Sequence, residues 1–278
     1  MSNNELKPAK VAIIGGGNIG VALARGLVNS GDYCASEVIV TRRRESKLNF
    51  LKPERFQVSD NNTIAVANAP TVVLAVLPQQ INTVLDEIND SLTDKHLIVS
   101  VVSGVSTQNL LDHICKPVHL VRAMPNTAIS IGESMTCIAA HKSSQDKIEE
   151  TRKLFDTVGM TMVINESQMT SATALCACGV AFFLRAIRAA SQGGTEIDFH
   201  SSEAIKMAAQ TAKGAAALLL SNDSHPEDEI DKVTSPKGCT IAGLNQMEHN
   251  GFSSAFIKGI TTSAIKAGGL YDHEEARG

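Results

Sequence analysis

Three residues near the start of the chain give the first sign of chemistry. Gly15, Gly17 and Gly20 stand in G-x-G-x-x-G spacing, after the apolar run Val11–Ile14 and at the head of an alanine- and leucine-rich helical pattern. Between a strand and a helix these glycines have separate tasks. One makes a tight turn, one lets a pyrophosphate approach the backbone, and one lets the helix pack on the strand. The helix N-terminus then turns free N–H groups and a positive dipole end towards the phosphates. About twenty residues further on, a site built for NAD carries an acidic residue against the ribose 2′-hydroxyl. Here the chain has Thr41, Arg42 and Arg43 instead. A hydroxyl and cations at a strand end suit a 2′-phosphate, which a guanidinium binds bidentately, so NADP is the expected cofactor. A second candidate lies far along the chain. Ser235-Pro236-Lys237-Gly238-Cys239-Thr240 reads as a turn entering a helix, and backbone N–H groups near Gly238–Thr240 form a cradle for a carboxylate. Taken alone, this stretch reads equally well as an ordinary cap and turn.

The elements that must hold these residues follow from hydrophobic patterning. Val11–Ile14, Glu37–Thr41, Thr71–Val76, His96–Val102 and Val118–Ala123 are predicted strands, with Met135–Ala140 and Thr161–Ile164 as the last ones. Unbroken apolar runs of this kind belong to a sheet covered on both faces. Helical stretches such as Ile81–Asn89 and Ser144–Val158 separate them, which gives an α/β doubly wound sheet of Rossmann type. Ligands of such sheets bind beyond the carboxyl ends of the strands, where the glycine loop, Leu77-Pro78-Gln79, Ser103-Gly104 and Met124-Pro125-Asn126-Thr127 converge. Past about residue 165 only helical patterns remain: Glu166–Gln192, Ser202–Leu220, Ile230–Val233, Thr240–Asn250 and Phe252–Ala267. The first would be about 40 Å long at 1.5 Å per residue. Too much of their surface is apolar for one segment to bury alone, so an all-α dimerisation domain is expected. The predicted domains are 1–165, binding NADP, and 166–278, binding substrate and a second copy.

Composition narrows the class. The chain has 278 residues, 43% hydrophobic and 19% charged, the balance of a globular protein rather than a disordered one. A net charge of -4 without basic tracts argues against nucleic acid as a partner. The uncharged stretch Ser167–Leu184 approaches the length of a membrane span, yet it contains Ser, Gln, Thr and Gly and ends at Arg185, so a buried interface helix is expected and no membrane. The polar first residues carry no secretory signal pattern. Six cysteines without metal-ligand spacing read as reduced thiols of a cytoplasmic protein, and no metal is assigned.

Two stretches, VRAMPNT (Val121–Thr127) and DKVTSPKGCTIAGLNQMEHNGF (Asp231–Phe252), resemble the signature stretches of the pyrroline-5-carboxylate reductases. The opening AIIGGGNIGVALARGL is similar to that family's glycine loop, and the likeness runs from about residue 10 to 269. The resemblance implies reduction of the cyclic imine 1-pyrroline-5-carboxylate to L-proline by NAD(P)H, the last step of proline biosynthesis. It also implies a homodimer through the C-terminal helices, assembling further in some members. Carried over by motif, Gly15, Gly17, Asn18, Ile19 and Gly20 would hold the pyrophosphate. Thr41 and Arg42, with Arg43 beside them, would meet the 2′-phosphate, and Asn62 the adenosine side. Pro78, Ala123, Pro125 and Asn126 would line the nicotinamide end. Ser235, Gly238, Cys239 and Thr240 would hold the substrate, with the Thr240 hydroxyl orienting the iminium and relaying its proton as the catalytic group.

The chain also departs from the family. Leu175–Phe182 (LCACGVAF) stands where a Ser-Gly-Ser-Gly-Pro-Ala-Tyr run is usual, and loss of the proline should straighten the helix there. Leu77 replaces a Lys, Ala128 a Pro and Lys237 a glycine. Two other readings stay open: a reductase of another cyclic imine or small oxo acid, and a non-catalytic NADP-binding protein.

Overall fold

Val11–Ile14 (β1), Val38–Thr41 (β2), Thr71–Leu74 (β4) and Leu97–Ser100 (β5) are buried along their whole length. In the computed structural model, which describes residues 6–269, they join Gln57–Ser59 (β3), His119–Met124 (β6), Ser134–Ala140 (β7) and Gly159–Val163 (β8) in one sheet. The strand order is β3-β2-β1-β4-β5-β6-β7-β8. The step from β1 to β4 is the topological switch point, where doubly wound sheets bind ligands. Alternate residues feed two cores: Ile13, Val40, Val73 and Val99 on one face, and Ile14, Ile39, Val72 and Ile98 on the other. Helices Asn18–Asn29 (α1), Asn62–Ala67 (α2), Ile81–Ile88 (α3), Thr107–Ile114 (α4) and Ile148–Asp156 (α5) belong to this part of the chain.

Several details differ from the pattern in the sequence. β3 is three residues, Gln-Val-Ser, too short and polar to announce itself, and it pairs parallel to β2. β7 runs antiparallel to β6, and β8 runs parallel to β7. The link 125–133 holds only a short 3-10 turn at Thr127–Ile131. It is too short for the crossover that a parallel neighbour requires. Helix α4, only eight residues long, buries Thr107, Leu110 and Ile114 on one face, and Ser106 caps it by accepting from the Asn109 N–H at 3.0 Å. The predicted helix Ser144–Val158 breaks at Ser144, whose buried hydroxyl oxygen accepts from the Leu120 N–H at 2.9 Å.

The long helix Glu166–Glu196 is not uniform. It comprises α6 (Met169–Ala172), a π-helical turn at Thr173–Cys178, and α7 (Gly179–Glu196). The absent proline leaves α7 regular from Gly179, while the wide turn lies just before it. The chain divides at that turn into two compact units: residues 6–178 with 263–269, and Gly179–Thr262. The anticipated boundary at 165/166 marks the helix start. The units separate later because Met169 and Ala172 pack with Met124, Cys137 and Ala139 of the sheet. The second unit holds α7, α8 (Ser201–Asn222), α9 (Pro226–Lys232), α10 (Cys239–His249) and most of α11 (Phe252–Gly268). There Gly194 lies close to Ala204, and Phe182, Phe183 and Phe252 surround Phe256.

One ion pair fixes the start of the long helix. Arg122 of β6 has a side chain only 7% exposed, and its Nη1 lies 3.2 Å from Glu166 Oε1. The Glu166 carboxylate also accepts from the Thr107 N–H at 2.7 Å and from the Thr107 hydroxyl, capping α4. Burial holds the guanidinium pKa below its ordinary value against the opposing effect of Glu166. Removing the carboxylate leaves that charge enclosed, so Glu166→Ala is expected to destabilise the fold by about 3 kcal/mol in urea unfolding, and Glu166→Gln by less. An unchanged midpoint in Glu166→Ala would contradict this role.

Candidate dinucleotide and substrate sites

The glycine loop divides its tasks as the spacing predicts. Gly15 has φ +115, and a Cβ there would lie 2.3 Å from the Ala75 carbonyl oxygen of the adjoining chain after β4. Gly20 sits on α1 so close to the loop that a Cβ would reach 2.1 Å from the Gly15 oxygen. At Gly17 a Cβ would meet nothing within 4 Å among the described residues, so that face of the loop is open. Gly17 opens α1 without a side-chain hydrogen bond among the described residues, and Gly17 and Asn18 are exposed at its tip. Ile19 is half-buried and packs against the core. An open, uncapped helix N-terminus beside a glycine carved for close approach fits a pyrophosphate.

The end of β2 is more structural than the sequence suggests. Thr41 is fully buried, and its hydroxyl donates to Asn62 Oδ1 at 2.6 Å. Its oxygen is thus enclosed, and what it positions is Asn62. The Asn62 Nδ2 in turn donates to Glu87 Oε2 at 2.9 Å, a carboxylate on α3 that no motif marks. Arg42 is half-buried, and its Nη1 donates to the Gly16 carbonyl at 3.0 Å, tying the strand end to the glycine loop. Arg43 and Arg44 are exposed beside it. Three cations thus follow β2 beside the glycine loop.

Beyond β4 and β6 lie the two loops assigned to the nicotinamide end. Pro78 is half-buried and starts the short turn that leads into α3. Ala123 is fully buried in the core with Val121 and Ile138, one step behind the second loop, and has no exposed surface to offer a ligand. Asn126 is 8% exposed and engaged at every polar atom of its side chain. Its Oδ1 accepts from the Ala128 N–H at 2.9 Å, and its Nδ2 donates to the Cys176 carbonyl at 3.3 Å. Its backbone N–H donates to Ser134 Oγ at 3.1 Å. Asn126 therefore shapes the loop around buried Pro125, and Ser134 is a supporting residue that the sequence did not single out.

The turn in the second unit has the anticipated form. Gly238 is the N-cap of α10, with no side-chain cap among the described residues, so the N–H groups of Cys239 and Thr240 open the helix unpaired by a side chain. The Gly238 N–H donates to the Ser235 carbonyl at 2.9 Å, and a Cβ on Gly238 would fall 2.5 Å from Ser235 Oγ. Ser235 and Cys239 are exposed and Thr240 is half-buried. Lys237 adopts φ +60, the left-handed region that favours glycine, which explains why the family usually has a glycine at this point.

A doubly wound sheet with this loop at its switch point defines a dinucleotide-dependent oxidoreductase. Comparisons sharpen the class. Residues 10–104 match the model described as NADP oxidoreductase coenzyme F420-dependent, and residues 166–270 match pyrroline-5-carboxylate reductase dimerisation. Pyrroline-5-carboxylate reductase 2 of Dictyostelium discoideum is 47% identical over 96% of this chain and 95% of its own length. Pyrroline-5-carboxylate reductase 1 of the same organism is 52% identical over 95% of this chain, which spans only 50% of that protein. A pyrroline carboxylate reductase from Plasmodium falciparum, crystallised with NADP bound, is 22% identical and shares the fold over 96% of this chain and 99% of its own, with a TM-score of 0.86. The chain belongs to the pyrroline-5-carboxylate reductase family.

Two substitutions probe the cofactor half. Gly20→Ala forces a Cβ into the Gly15 carbonyl and is expected to reduce NADPH affinity in fluorescence titration at least 10-fold, about 1.4 kcal/mol. Arg42→Ala should weaken NADPH far more than NADH, since only the former carries the 2′-phosphate. Equal losses for both would overturn the assignment of that charge.

Proposed function

We infer that this chain reduces 1-pyrroline-5-carboxylate to L-proline at the expense of NADPH, in proline biosynthesis. The observation that carries this reading is a pair of uncapped helix N-termini in a chain of this family. Gly17 opens α1 towards a pyrophosphate, and Gly238 opens α10 towards a substrate carboxylate. NADP is further supported by the three cations after β2, with no carboxylate among residues 41–44.

When bound, the reduced dinucleotide supplies the hydride to the imine carbon. The chain's own part is positioning, because a protonated imine is already a strong electrophile. Backbone N–H groups of Cys239 and Thr240 hold the carboxylate, and the Lys237 ammonium adds a positive charge at the mouth of the turn. The Thr240 hydroxyl orients the ring nitrogen and passes its proton. Gly15, Gly17 and Gly20 seat the phosphates, Arg42 and Arg43 the 2′-phosphate, and Asn126 holds the loop at the nicotinamide end through its hydrogen bonds.

The same reading includes a homodimer in the cytoplasm. The dimerisation match over 166–270 supports the dimer. So do the exposed Phe183, Leu184, Leu220 and Ile257 of the second unit. The helix Glu166–Glu196 has a mean hydropathy of 1.6 in its most apolar window, of which only 22% is buried within the chain. A second copy covers such a surface as well as a membrane would, and this family supplies the copy. The six cysteines, all free, support a reducing compartment.

Purified protein should oxidise NADPH when 1-pyrroline-5-carboxylate is added, with proline formed in equal amount. Tight NADPH binding without oxidation would overturn the reading. Thr240→Ala is expected to lower turnover about 10- to 100-fold with NADPH affinity unchanged. A comparable loss of NADPH binding would remove Thr240 from its assigned role.

A further inference from the structure

The cysteines that the reaction does not use are not equivalent. Cys34, Cys115 and Cys239 are exposed, Cys178 is half-buried, and Cys137 and Cys176 face each other across the first unit. Their sulfurs are 3.9 Å apart. Cys137 lies on β7, 4% exposed, directly opposite Met124 in the ladder with β6. Cys176 is half-buried in the π-helical turn Thr173–Cys178. Cys137 belongs to one buried cluster with Met124, Ala139, Met169 and Ala172, and the half-buried Cys176 packs against that cluster.

From this juxtaposition we propose that Cys137 and Cys176 form a reversible disulfide under peroxide, a redox modification site that throttles the enzyme. The bond requires the sulfurs to close from 3.9 Å to about 2.05 Å. The contact between the two sulfurs draws the thiol of the less enclosed Cys176 below its ordinary pKa and pushes that of Cys137 above it. Cys176 is thus the attacking thiolate. Its sulfur displaces hydroxide from hydrogen peroxide, breaking the O–O bond and forming a sulfenic acid. The Cys137 sulfur then attacks the Cys176 sulfur, the S–O bond breaks, and the oxygen leaves as water with the Cys137 proton. Two thiols lose two electrons and one peroxide becomes two waters.

The connection to activity runs through one hydrogen bond. The Cys176 carbonyl accepts from Asn126 Nδ2, and Asn126 shapes the loop that follows β6. Drawing Cys176 onto β7 displaces that carbonyl and loosens the loop.

The test uses the full chain titrated with hydrogen peroxide, then alkylated, digested and read by mass spectrometry, with NADPH oxidation followed in parallel. The expected result is a linked peptide pair containing Cys137 and Cys176, a several-fold fall in turnover, and recovery of both with dithiothreitol. Cys176→Ser should form no link and keep its turnover under peroxide, and Cys178→Ser should link as the parent does. Alkylation of Cys137 and Cys176 after peroxide, or a link through Cys178 instead, would overturn the proposal. A link formed without loss of turnover would overturn its regulatory half. The activity arm rests on the reductase reading. The mass arm does not, so a chain that fails to reduce the imine still reveals whether the bridge forms.

Discussion

The nucleotide half of this protein depends on one close approach, that of Gly20 on α1 to the carbonyl of Gly15. The gap leaves no room for a Cβ, so helix and loop meet backbone to backbone. That contact sets where the first turn of α1 ends up and hence where its unpaired N–H groups point. Gly15 is itself locked by the carbonyl of Ala75, which follows β4 across the switch point. β1, β4 and α1 are thereby keyed to one another by two backbone contacts that admit no side chain. The open face at Gly17 is what remains once both neighbours have closed in. A phosphate site made this way needs no charged side chain of its own in the loop, because the helix terminus supplies the field.

The sequence disclosed much of this because its signals were local. Val11–Ile14 and Thr71–Leu74 had to be strands, since unbroken β-branched runs bounded by glycine or proline have few other uses. β3 escaped notice for the opposite reason: Gln57–Ser59 is short and polar and owes its form to the neighbouring strand β2. The reversal at β7 was equally silent, because an apolar strand carries no mark of its direction. In the site, glycines were legible through steric demands that any backbone imposes. Thr41, Ala123 and Asn126 were not, because a motif records which residue stands in place and not which way its polar atoms face. All three lie beneath the surface assigned to them. Thr41 and Asn126 brace that surface through hydrogen bonds to Asn62 and Cys176.

The second unit follows a different economy. Its helices pack through small residues, as at Gly194 and Ala204, and around Phe256, yet large apolar side chains stay uncovered. This is the surface that the proposed homodimer would cover. One departure from the family lies at the end of the first unit. Cysteines occupy a helical turn that is usually serine and glycine, and here that turn is π-helical. Lys237 holds a left-handed backbone that costs about 1 kcal/mol relative to glycine.

Arg42 joins two duties in a single side chain. The guanidinium assigned to the 2′-phosphate also donates to the carbonyl of Gly16, in the middle of the loop that would carry the pyrophosphate. Discrimination between the two nicotinamide dinucleotides and the rigidity of the phosphate loop are consequently not independent variables. Exchanging this arginine for a carboxylate, as one would to recruit the cofactor lacking the phosphate, also cuts a brace that supplements the bonds from the Gly15 and Gly16 N–H groups to the Thr41 carbonyl. A lineage moving from one cofactor to the other would have to rebuild that brace from another residue first.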